Sequence, residues 1–257
     1  MKRALLLAAG CLLACLAGVD SPAAGFDHTH APFDRVLKAH VRDAAVDYAA
    51  LRRDIKPLKD YLDALATVSE ADFNRWPQPE RLAFLLNLYN AATLKLVTDH
   101  HPVKSIKDIG GFLSGPWKQP VVRLFGETTT LEHVEHGLIR KRYAEPRAHF
   151  AMVCAAKGCP PLRAEAYIAA RLDEQLNEQG RRFLAQAHKN RVEAAKRIVH
   201  LSPIFKWFSE DFEQPAGSVL KFVTPFFDDA SRRALTGGKF SIRFTDYDWS
   251  LNDGAAK

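Results

Sequence analysis

Arg81-Leu82-Ala83-Phe84-Leu85-Leu86-Asn87-Leu88-Tyr89-Asn90 opens the longest apolar segment of the chain, which runs on to about His100. Its apolar residues fall on every side of a helical wheel and not on one stripe, and a helix of that kind is buried. Two amides, Asn87 and Asn90, interrupt the run. Buried amides must find hydrogen-bond partners, so each either ties the helix to a neighbouring loop or points into a site, and the tie is the favoured reading.

Outward from this spine the pattern is mixed. Towards the N-terminus, residues 32–54 read as a helix carrying Phe33, Val36, Leu37, His40 and Val41, then a bend and a second turn at Val46-Asp47-Tyr48. Another helix follows Pro57 with Leu58, Tyr61, Leu62 and Leu65 on one side. Towards the C-terminus, glycine and proline mark a long loop over 102–117, and Val121–Phe125, Gly126-Glu127 and Thr128–Thr130 read as a β-hairpin. Thr130 can cap a helix bearing Leu131, Val134, Leu138 and Ile139. Residues 148–154 read as a short strand, about 164–187 as an amphipathic helix, the stretch up to Leu201 as a hairpin, Ser202–Phe212 as a helix and Lys239–Leu251 as a last strand. No repeat or low-complexity linker divides residues 25–257. The expectation is one mixed α+β domain, helix-rich, with a small antiparallel sheet and a buried helix at about 81–100.

Residues 1–24 read as a secretory signal: Lys2 and Arg3, an apolar run from Ala4 to Val19, then Ser21-Pro22-Ala23 with small residues for cleavage. The run is too short for a comfortable membrane span. A lipoprotein signal ending at Cys15 is the alternative, and only then is a membrane expected as partner. The expected location is periplasmic or secreted. Cleavage removes Lys2, Arg3 and Asp20 and lowers the net charge from +6 to +5. The one dense basic patch, Arg181-Arg182 with Lys189, Arg191, Lys196 and Arg197, is interleaved with Glu178 and Glu193 and reads as a solvated surface. Without an aromatic-basic stripe, nucleic acid is not an expected partner. The expected partner is a small molecule or an envelope component; the oligomeric state stays open.

Beyond the signal, the chain keeps only Cys154 and Cys159 of its four cysteines. In an oxidising compartment they can close a small disulfide loop around Gly158. Alternatively Cys154 is a nucleophile, which needs a thiolate and a histidine such as His136 or His149 to generate it. Glu132, Glu135 and His136 share a helix flank. Without a His-Glu-x-x-His pattern they read as solvated charge, and neither a metal nor a cofactor is expected. His28 and His30 read as part of a disordered start. Arg140, Arg147 and Lys157 hold an anion or pair with Glu135 and Glu145. Phe205-Lys206-Trp207-Phe208 reads as core.

Several of these stretches resemble, in the same order, the Domain of Unknown Function 547 family. They are Leu82–Ala91, Ser105–Ile109, Pro116-Trp117-Lys118, Leu131–Arg140 and Pro146–Leu162 with its Cys154-Ala155-Ala156-Lys157-Gly158-Cys159-Pro160-Pro161, followed by Ile204–Phe208 and Tyr247–Asn252. Family members often carry Trp in the Phe84-Leu85-Leu86 segment, where this chain has Leu85. The resemblance implies no reaction. It implies one shared site at Asn87, Asn90, Glu135, His136, Arg140, His149 and Cys154. Two functions follow as expectations: a Cys-His hydrolase or transferase, with Cys154 as nucleophile, His136 or His149 as base, Asn90 or Arg140 orienting the substrate and Glu135 at the same site; or a non-catalytic envelope module stapled by Cys154 and Cys159.

Overall fold

Gln78–His100 is one continuous helix, begun by prolines in its first turn and stopped where His101 precedes Pro102, a pairing that disfavours α geometry. Sixteen of its residues are buried, from Leu82 to Thr98. The structure, a computed structural model, describes residues 25–111 and 114–254. The expected signal segment and Cys15 lie outside the described residues.

Around this spine pack helices Ala31–His40, Tyr48–Arg53 and Lys56–Ala66, the hairpin Val122–Leu124/Glu127–Thr129, and the helical stretch that starts at Leu131. Val41 leaves the first helix for a two-residue hairpin, Val41–Arg42 against Ala45–Val46. A second cluster of aromatic residues, including Phe150, Phe183, Phe205 and Phe212, fills the space under a three-stranded sheet and helices Ser209–Ala216, Val219–Val223 and Asp229–Thr236. Helix Leu172–Leu184 joins the two, giving Leu172 and Leu176 to the first core and Phe183 and Leu184 to the second. The fold is therefore α+β and helix-rich, as expected. Among the described residues no helix is long and apolar enough to cross a membrane.

Five local expectations are corrected. Ala148–Ala151 is one helical turn, not a strand, because Ala148 and Met152 close an α-type hydrogen bond. The amphipathic helix begins at Leu172, since residues 163–168 stay extended or irregular and are held by side chains. The last strand is only Ser241–Phe244, and it joins Ile198–Leu201 in parallel, so that sheet is mixed. His28 and His30 are ordered: His30 is buried, its Nδ1 lies 2.7 Å from the Tyr61 hydroxyl, and burial pushes its pKa down to about 4. Lys189 also leaves the basic patch. It is buried with Nζ donating to the Cys159 carbonyl at 2.6 Å, and desolvation lowers its pKa to about 8.

The two amides of the spine are ties. Asn90 Nδ2 donates to Ala151 O (2.9 Å) and its Oδ1 accepts from Val153 N (3.0 Å). Asn87 Nδ2 donates to Tyr167 O (2.7 Å) and its Oδ1 accepts from Tyr167 N (2.9 Å). Each amide thus satisfies one buried N–H and one buried C=O of a segment that has no sheet partner there. Asn90→Leu strands both groups, and a buried unsatisfied group costs about 1–3 kcal/mol. Urea denaturation should show Asn90→Leu losing about 2–5 kcal/mol, while the same exchange at exposed Asn74 stays within about 0.5 kcal/mol.

Candidate functional site

The segment tied down by Asn90 carries the two cysteines. Cys154 and Cys159 are disulfide-bonded, with Cα atoms 6.3 Å apart, and Cys154 N donates to Cys159 Sγ at 3.0 Å. From the other side the C-terminal tail laces the loop: Lys157 N to Ser250 O and Gly158 N to Asp248 O, both 2.8 Å, and Asn252 N to Ala155 O at 2.9 Å. Gly158 is required here, because a Cβ would stand 2.9 Å from the Tyr247 ring and 3.0 Å from Asp248 N. The tail brings the Tyr247 hydroxyl to 3.2 Å from Cys154 Sγ and 3.1 Å from Cys159 Sγ.

This disulfide forms part of the wall of a cavity of about 260 Å³ at the junction of the two cores. Trp207 and Phe208 supply another wall, Tyr247 and Trp249 a third, with Trp117, Tyr89 and Met152 between them. The aromatic rings touch in sequence: Trp207 to Tyr247 at 4.9 Å, Tyr247 to Trp249 at 4.5 Å and Trp249 to Trp117 at 6.0 Å between centroids. Trp207 is 47% exposed and forms the rim. The expected core stripe 205–208 is thus split, with Phe205 buried in the second core and Trp207 and Phe208 facing the cavity.

The polar wall comes from a π-helical segment, His133–Ile139, inserted in the stretch that Thr130 Oγ1 caps through His133 N (3.1 Å). The i→i+5 hydrogen bonding of such a segment re-aims side chains relative to an α-helix, and π-segments recur at functional sites. Here Glu132, Glu135 and His136 all line the cavity. Glu135 is not solvated charge: it is 9% exposed, and Tyr89 Oη donates to its Oε2 at 3.0 Å. Burial and the adjacent Glu135 carboxylate together raise the Tyr89 pKa well above that of a free phenol.

Behind this wall lies a charged cluster. Arg140 donates to Asp211 from Nε (2.6 Å) and Nη2 (3.0 Å), and from Nη1 to His136 Nδ1 (2.9 Å). Because guanidinium only donates, His136 Nδ1 is the acceptor. His149 Nε2 lies 2.7 Å from Asp211 Oδ2, with its ring stacked 4.3 Å from Phe208. The bond to His149 and the two from Arg140 hold the Asp211 carboxyl far below the usual carboxylate range. Arg140, His149 and Asp211 also line a second cavity of about 470 Å³, so the cluster separates two clefts.

Of the residues expected at a site, Cys154, His136, His149 and Glu135 come together around one cavity. Asn90 and Arg140 do not line it, being spent on Ala151 and Val153 and on Asp211 and His136. Arg140 therefore pairs with Asp211 and not with Glu135, whereas Arg147 does pair with Glu145 (2.6 Å). Among the described residues, no three His, Cys, Asp or Glu side chains converge as metal ligands. Trp117, Trp207, Tyr247 and Trp249 were missed as site residues although their motifs carry the family resemblance. Asp211 stands in none of those motifs.

Residues 73–184 match the family described as "Protein of unknown function, DUF547". The similarity to the DUF547 family is carried by this segment. It contains the spine, the π-segment and both cysteines, and it ends before Trp207, Asp211, Tyr247 and Trp249, so the DUF547 segment holds the polar wall and the disulfide while the aromatic walls come mostly from beyond it. No curated protein and no solved structure matches the chain.

Asp211 gives the cluster a pH signature. Its pKa is depressed on folding, so the unfolded chain binds the proton more readily, and the stabilisation is complete above the unfolded pKa of about 3.9 and lost as pH falls below it. Asp211→Asn should cost about 2 kcal/mol at pH 7, and thermal melts should show the gap from the parent beginning to narrow below about pH 4 and still narrowing below about pH 3, as pH falls towards the depressed folded pKa.

Proposed function

We propose that this protein is a small-ligand-binding module of an oxidising, extracytoplasmic compartment, with the aromatic cavity as its site and the Cys154–Cys159 disulfide as part of that site's wall. The observation that carries the reading is the disulfide itself. A nucleophilic cysteine acts as its thiolate, and the sulfur available for that role is bonded to a second sulfur and touched by the Tyr247 hydroxyl. A concave, mainly aromatic site with a few convergent polar groups is the usual form of a small-molecule pocket. The compartment rests on the signal-like first 24 residues and on the rarity of structural disulfides where thiols are kept reduced.

One observation favours a thiol hydrolase or transferase as the second reading: Cys154, His136, His149 and Glu135 line the same cavity. Reduction would free Cys154 beside two imidazoles. The two readings separate in one experiment. A panel of small alcohols, amines, carboxylic acids and phenols is titrated against tryptophan fluorescence of the unreduced protein, and p-nitrophenyl acetate turnover is followed with and without a phosphine reductant. The binding reading expects quenching by members of the panel, weakened about ten-fold or more by Trp207→Ala as for a stacked aromatic contact, and no turnover above that of Cys154→Ser. Turnover that appears on reduction and vanishes in Cys154→Ser would establish the enzyme reading instead.

A further inference from the structure

Glu135 is a buried carboxylate in a cavity wall, and among the described residues no cation forms an ion pair with it, Arg140 acting on it only through its field. Its one hydrogen bond comes from the neutral Tyr89 hydroxyl. The guanidinium that feels Glu135, that of Arg140, makes its hydrogen bonds elsewhere, to Asp211 and His136. Lys118 lies 3.8 Å from Glu132, at the exposed edge of the same wall. A desolvated carboxylate without a counter-charge is costly, and a ligand cation is one way to relieve that cost.

The walls opposite suit the same ligand. An aromatic face attracts a cation within about 6 Å of its centroid, tryptophan most strongly, and rings arranged around a small space are the usual receptor for alkylated ammonium groups. Trp249 already uses this property, with Lys107 Nζ 4.5 Å from its centroid. Among the described residues no cation of the protein stands over Trp117, Trp207 or Tyr247, which line the cavity. A cavity of about 260 Å³ is small for a nucleotide or an oligosaccharide and fits a compact group.

Resting on the binding reading above, we infer that the cavity takes an organic ammonium ion, with Glu135 as its counter-charge and the faces of Trp207 and Tyr247 as its walls. The alkyl substituents meet the aromatic rings, and the positive charge is shared between the rings and the second oxygen of Glu135.

The test compares choline with 3,3-dimethylbutan-1-ol, a neutral molecule of nearly the same shape, by tryptophan fluorescence titration of the unreduced full chain at constant ionic strength. Choline should bind at least about ten-fold more tightly than the alcohol, corresponding to about 1.4 kcal/mol, within the range of desolvated cation–π and charge contacts. Glu135→Gln keeps an acceptor for Tyr89, and its fold is checked by circular dichroism and melting temperature. In this variant the ratio should fall to about two-fold or less. Equal affinity for the two probes, or a ratio that survives Glu135→Gln, overturns the ammonium inference and leaves the binding reading standing. Failure of both probes while other panel members bind overturns the ammonium inference alone. Failure of every compound overturns both.

Discussion

Two asparagine side chains carry the constraint on which the rest of the structure depends. Ala151–Val153 and Tyr167 lie against the buried helix outside the stretch that the C-terminal tail pairs with, yet buried peptide groups must be paired. Asn87 and Asn90 supply that pairing by presenting an amide to a peptide edge, so that each side chain stands in for the neighbouring strand the segment lacks. An amide is well suited because it offers a donor and an acceptor in one plane. A carboxylate could accept but not donate, and an aliphatic side chain could do neither.

Everything that makes the cavity hangs on this anchored segment. The disulfide closes its loop, the tail from Tyr247 to Asn252 is laced along it, and Asn252 ties the same tail to the first hairpin through Val46 N and to helix Tyr48–Arg53 through Tyr48 Oη. On the opposite side, Arg140 and His149 grip Asp211 and thereby fix helix Ser209–Ala216 against the π-segment and the Ala148–Ala151 turn. The aromatic walls are therefore held by two kinds of contact, backbone lacing on the tail side and charge-assisted bonds on the helix side. Glu135 is the exception within this network, a buried carboxyl group whose hydrogen-bond partner among the described residues is a neutral hydroxyl.

Much of this was legible because it obeys local rules. The all-round apolar run from Arg81 announced the buried helix, and amides inside such a run had to be bonded. Thr130 announced a helix start, and the spacing of Cys154 and Cys159 allowed a disulfide. What escaped depends on tertiary position. Glu135 read as solvated because nothing in residues 132–136 signals a π-segment, which changes the face on which each side chain lies. Residues 148–154 read as a strand because a short apolar run looks alike in a strand or a single helical turn. Lys189 and His30 are polar residues that only the packing of distant segments buries. Asp211, about 60 residues from His149 in sequence, has no local pattern that points to its partner.

The cavity as described exists only if its wall is closed by sulfur–sulfur bonding, and peptide mapping reads this directly. Trypsin cuts after Arg147, Lys157 and Arg163 and so separates the two cysteines. The protein is purified without reductant, alkylated while denatured, digested and analysed by mass. The account predicts that the peptide Ala148–Lys157 is recovered covalently joined to Gly158–Arg163, with the pair parting only on reduction. Recovery of the two peptides separately, each alkylated before any reductant is added, would contradict it and return Cys154 to the cavity as a free thiol.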